Sequence, residues 1–208
     1  MPLTRKPVQS LARTIHIYSS MSLLLVMLFF AITGITLNRP DWFGAEGPER
    51  QQWEIEVPAF LLGQEDGSLR PDNQALVHYL RQQPGIRGLA SSVDVYTVVE
   101  DGELLEGEAS LDFKGPGYNA SVYIDLLDRV AELETQDYGT IAWLNDLHKG
   151  RNTGEAWKWF IDFSALIMVL FIITGVIILL PKKRSVRSAM TWTGVGSVAT
   201  ALIYFASF

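Results

Sequence analysis

The chain has no cysteine and only three histidines, His16, His78 and His148. Without thiols it offers no disulfide, no thiolate nucleophile and no Cys-ligated zinc or iron–sulfur site. Imidazole is then the side chain best suited to bind a metal or carry a proton near neutral pH. His16 stands at the mouth of a long uncharged apolar run. An ionisable residue there is a functional candidate, and equally an interfacial side chain at headgroup level. His148 lies about nine residues before a second apolar run, where a plain loop residue at the membrane surface is the alternative to a ligand. His78 sits beside an apolar helical stripe and reads as a structural histidine. Ser, His and Asp all occur, but no motif assembles a nucleophile–base pair. No flavin or nicotinamide fingerprint is present, which argues against direct oxidation of NADH.

The elements that must carry these side chains follow from the uneven spread of apolar residues, 48% of the 208. Residues 15–37 hold no Asp, Glu, Lys or Arg, and about 20 helical residues span a hydrocarbon core. The run is too long for a signal-peptide core, and no A-x-A-like site follows it, so a retained helix is expected. Residues 157–180 form a second span, with Lys158 and Asp162 near its start and Trp157 and Trp159 at belt positions. Residues 189–208, rich in small residues that let helices approach in lipid, form a third. Three Lys/Arg in the tail 1–14 and four in the loop 181–188 put both segments in the cytoplasm under the positive-inside rule. Residues 38–156 are then periplasmic or extracellular, beyond a bacterial-type inner membrane. They carry 22 Asp/Glu against nine Arg/Lys, a charge of about −13 that argues against nucleic acid as partner.

Within this outer segment, residues 38–56 read as an exit segment. Residues 71–83 read as a short helix capped by Asp72, with Gly85 ending it. Runs at 93–99, 109–113, 120–125 and 129–134 read as strands, with DGELLEG (101–107) and KGPG (114–117) as loops between them. One α+β unit results, a helix on a small antiparallel sheet.

SVYIDLLDRVAELE, followed by LNDLHKGRNTGEAWKWFIDFSALIMVLFIITGVIILL, resembles the PepSY-associated transmembrane (PepSY-TM) family. The shared pattern is strand–turn–strand with an Asp, then Leu-His-x-Gly, then a membrane helix ending in Thr-Gly. The first helix is similar, with a His near its start (RTIHIYSS) and Thr-Gly near its end (AITGI). The resemblance covers about residues 11–181. It implies an α-helical transmembrane bundle of about three helices with an extracytoplasmic α+β PepSY-like domain. It also implies a haem-binding membrane reductase that carries haem b and acts on ferric siderophores or other iron. On that footing His16 and His148 are expected to be axial ligands of haem iron. Arg13, Lys149 and Arg151 are expected to meet propionates, or else to act only as interface anchors.

LVMLFFAITG (25–34) also resembles LIMVLFIITG (166–175). The two helices run in opposite directions, so Gly175 is expected at the depth of His16 and Gly34 at that of His148. Each Gly either makes room for a ring or packs as membrane glycines ordinarily do. In this topology about 30 Å of membrane separates the two histidines. One haem cannot bridge them, whereas a two-fold homodimer brings identical residues together at its axis. The expected function is transmembrane electron transfer, from an unknown cytoplasmic-side donor to ferric iron or a chelate outside. A rival from another class is a cofactor-free anchored module that binds a partner or inhibits a peptidase.

Overall fold

A computed structural model describes residues 2–43, 47–65, 68–69, 71–100 and 103–208. The chain divides into two compact units, Met1–Leu28 with Phe160–Phe208, and Phe29–Trp159. Helices α1 (Lys6–Asn38) and α4 (Glu155–Leu179) each contribute to both units, and α5 (Lys183–Ala206) lies in the first. All three are long and apolar enough to cross a membrane. The protein is therefore a membrane protein. Pro181 stands between α4 and α5, where its missing N–H and fixed φ stop a helix from running through. Helix α5 begins inside the basic segment 181–188.

The helical unit is patterned for lipid. Its large apolar side chains point out: Leu25, Leu166 and Phe205 are strongly exposed. The residues it buries are mostly small or hydroxylic, namely Ala12, Ser19, Ser164 and Thr174, with Leu23. Lipid gives no hydrophobic drive between helices, so close approach and internally satisfied polar groups hold them together. Gln9 Nε2, for example, donates to the Ile177 carbonyl at 2.7 Å.

The second unit is built on an antiparallel sheet. Strand β1 (Glu49–Glu56) pairs β8 (Val130–Asp137), which pairs β7 (Tyr118–Asp125), which pairs β6 (Glu103–Gly115). Strands β4 (Leu89–Ala90) and β5 (Asp94–Glu100) both pair β6. A separate two-stranded ribbon joins β2 (Gln64–Glu65) to β3 (Ser68–Leu69). Register aligns Trp53 with Leu133, Leu133 with Val122 and Val122 with Leu111. That apolar row, with Phe113 and Ile124, packs with Leu76 and Leu80 of α2 (Asn73–Arg81) in one core. The Asp72 carboxylate caps α2, accepting from the Gln74 and Ala75 amides at 3.1 Å.

Several features differ from the sequence reading. The exit segment contains β1, an edge strand whose half-buried Trp53 and Ile55 are its inward-facing apolar residues. The loop expected at 101–107 is strand from Glu103, paired to β5 through Thr97↔Gly107 and Val98↔Glu106. Asp101 and Gly102 lie outside the described residues. Finally, residues between β8 and the second span form a helix, α3 (Gly139–Lys149), so His148 occupies a last helical turn instead of a loop.

Candidate functional site

Two histidines each rest on a Thr-Gly step of a membrane helix. In the first unit His16, on α1, meets α4. Its Nδ1 lies 3.1 Å from the Phe171 carbonyl and 3.2 Å from Thr174 Oγ1. A carbonyl only accepts, so this nitrogen bears the proton in the hydrogen-bonded ring. The ring stacks on Phe171, with centroids 4.3 Å apart and planes 14° from parallel. Gly175 leaves it room, because a Cβ there would come within 3.2 Å of His16 Cε1.

In the second unit His148 repeats the arrangement on α1. Its Nδ1 lies 2.6 Å from Thr33 Oγ1. Phe30 meets the ring edge-on, 4.9 Å between centroids and 73° between planes. Gly34 faces Cε1, 3.9 Å from where its Cβ would stand. Burial pushes the His148 pKa down, and the adjacent Lys149 charge adds to that. The neutral ring is thereby favoured, the form that ligates metals.

Local backbone geometry delivers α3 to this position. The two-residue turn between β6 and β7 carries Gly117 at φ +61°, where an L side chain is strained. A Cβ on Gly117 would stand 2.6 Å from the Trp143 nitrogen, so the turn packs directly on the α3 backbone. The Gly117 amide donates to the Asp146 carboxylate at 2.9 Å. Asn145 bonds Thr36 of α1, and Gly150 ends α3 in the left-handed region. Trp157 Nε1 then donates back to the Leu147 carbonyl at 2.9 Å. His148 is thus held from the sheet, from α1 and from the start of α4.

Neither imidazole uses Nε2 in a hydrogen bond among the described residues, and neither Nε2 is a buried unpaired atom. Among the described residues no group of three or more His, Cys, Asp or Glu could hold a bare metal ion. One imidazole per site, with its other ring nitrogen tied to the protein, is a donor set that fits haem iron. Arg13, Lys149 and Arg151 are exposed and make no ion pair among the described residues. His78 is exposed on α2, where its Nε2 meets Gln82 at 2.9 Å, and it joins neither site.

A family model described as "Putative PepSY_TM-like" matches residues 10–207. The chain belongs to this PepSY_TM-like family. No curated protein and no solved structure gives a match. In this PepSY_TM-like chain the aligned decapeptides 25–34 and 166–175 supply both histidine platforms. Gly175 meets His16 and Gly34 meets His148, the pairing that antiparallel helices imply. The sequence reading missed the wider platform, Phe-x-Ile-Thr-Gly at 30–34 and at 171–175, in which Phe, Thr and Gly all touch the ring. That repeat was present in the aligned segments. Nothing in the sequence marked Gly117 or Asp146 as the clamp on α3.

Proposed function

We propose that this protein is a b-type haem electron-transfer protein of the membrane. His16 and His148 present Nε2 as axial ligands, and Arg13, Lys149 and Arg151 meet propionates. The observation that carries this reading is the pair of imidazoles, each anchored through Nδ1 on a Thr-Gly step, with Nε2 in no hydrogen bond among the described residues. When bound, haem supplies the one-electron chemistry. The chain's own part is to ligate, orient the rings and exclude water. Residues 1–14 and 181–188 face the cytoplasm in this reading, where a donor delivers electrons, and residues 38–156 lie outside an inner membrane. The acceptor is ferric iron or a ferric chelate. The acidic outer segment suits a cationic acceptor better than a free anionic chelator. Because the expected topology sets the two histidines a membrane thickness apart, the working unit is a homodimer that pairs identical histidines at its axis.

Pyridine haemochrome assay of the purified protein tests this. Haem b is expected in the parent and reduced in His16→Ala and His148→Ala, with His78→Ala unchanged. Full haem in both of the first two variants rules the ligands out. Native mass spectrometry is expected to give a dimer, and a monomer holding bis-histidine haem refutes the pairing.

A further inference from the structure

We infer that Thr33 and Thr174 are positioning residues that set the tautomer of His148 and His16, fixing Nε2 as the nitrogen offered to iron; the role in ligation rests on the proposed function. Each threonine is buried within α1 or α4, 1% and 3% exposed. Each places its hydroxyl within donating distance of a carbonyl of its own helix. Thr33 Oγ1 lies 2.6 Å from the Phe29 carbonyl, and Thr174 Oγ1 lies 2.8 Å from that of Leu170. A hydroxyl has one proton and two lone pairs. With the proton engaged by a carbonyl, the oxygen can only accept from the imidazole, so Nδ1 is the protonated nitrogen and the lone pair lies on Nε2. At His16 the Phe171 carbonyl demands the same tautomer independently. At His148 the Thr33 hydroxyl is the sole partner of Nδ1 among the described residues. Outer partners of this kind orient a ligating ring and raise its basicity.

The two sites therefore respond unequally. Thr33→Val removes the one hydrogen-bond partner that His148 Nδ1 has among the described residues. Thr174→Val leaves His16 its carbonyl.

The test uses full-length protein in detergent, with Thr33→Val, Thr33→Ser, Thr174→Val and Thr174→Ser. Nitrogen-15 NMR of the haem-free parent is expected to show Nδ1–H at both histidines. Thr33→Val is expected to show mixed tautomers at His148 and haem binding about 10- to 100-fold weaker, the range found when outer-shell partners are removed. Thr33→Ser restores both readouts, and Thr174→Val has the smaller effect. An Nε2–H tautomer in the parent, or parental haem binding in Thr33→Val, overturns the inference. If the parent binds no added haem, the haem reading fails, while the NMR tautomer still decides the role of the threonines.

Discussion

Gly117→Ala strikes the contact that holds α3 in place, and the geometry sets its size. An L residue in the left-handed region, here φ +61°, costs about 1–2 kcal/mol. The new methyl would also stand 2.6 Å from the nitrogen and 2.8 Å from the Cα of Trp143. Those are backbone atoms that cannot rotate away, and overpacking of this kind costs about 1–3 kcal/mol. The reduced freedom of the unfolded chain returns about 0.4–1 kcal/mol. The net destabilisation is about 2–4 kcal/mol. Gly139→Ala is the matched control, because φ is +80° there and nothing lies within 4 Å of the added Cβ. It carries the strain without the clash, about 1 kcal/mol. Denaturant unfolding in detergent, followed by near-ultraviolet circular dichroism, measures both. Hydrogen exchange of the α3 amides locates the damage, which is expected at Trp143 to His148 in Gly117→Ala alone. Equal stabilities for the two variants would refute the proposed docking of turn on helix.

The other expectations concern the site, the topology and the outer face of the sheet. Gly175→Ala pushes a methyl to 3.2 Å from His16 Cε1 and is expected to lower haem content, whereas Gly34→Ala makes an ordinary 3.9 Å contact and is expected to leave it unchanged; haemochrome assays compare them. In this cysteine-free chain, Ser92→Cys is expected to react with an impermeant maleimide in intact cells and Ser188→Cys is not, both positions being exposed; the reverse labelling refutes the orientation. The Glu108 carboxylate beside Tyr123 pushes the phenol up to about 12, so Glu108→Gln is expected to bring it back toward 10 in a spectrophotometric titration. Partial burial raises the Asp112 pKa, but hydrogen bonds from Lys114 and Ser121 and the Lys114 charge outweigh it, leaving the carboxyl below 3.8. Its contribution is therefore present above pH 3.8 and lost as pH falls through the folded value. Because both partners are well exposed, Asp112→Asn is expected to cost only about 0.2–0.5 kcal/mol at pH 7, a difference that closes in acid unfolding.

The spans, α2 and most of the sheet were legible because each carries a strong local signal. These signals are long uncharged apolar runs, an Asp72 cap before an apolar stripe, and alternation at 120–125. Strand β1 hid because ERQQWEIE is polar on its exposed face and leaves only Trp53 and Ile55 to face the core. Helix α3 hid for a different reason. It buries none of its residues fully, and polar and backbone contacts hold it, Asp146 to Gly117 and Asn145 to Thr36. The acidic, glycine-bearing segment at 103–107 looked like a loop, yet ladder pairing with β5 overrides that composition. At the site, the histidines and their glycines could be paired from sequence through the antiparallel repeat. Which ring nitrogen faces the threonine depends on the direction from which each ring approaches its helix, and only the fold fixes that.

Near-infrared magnetic circular dichroism of the oxidised, purified protein tests the central claim most directly, because it identifies the axial ligands of ferric haem. A low-spin bis-histidine signal, reduced in His16→Ala and in His148→Ala and retained in His78→Ala, is the expected result. Protein expressed with ample haem that shows no haem signal, or a haem whose ligation is indifferent to both substitutions, would contradict the assignment.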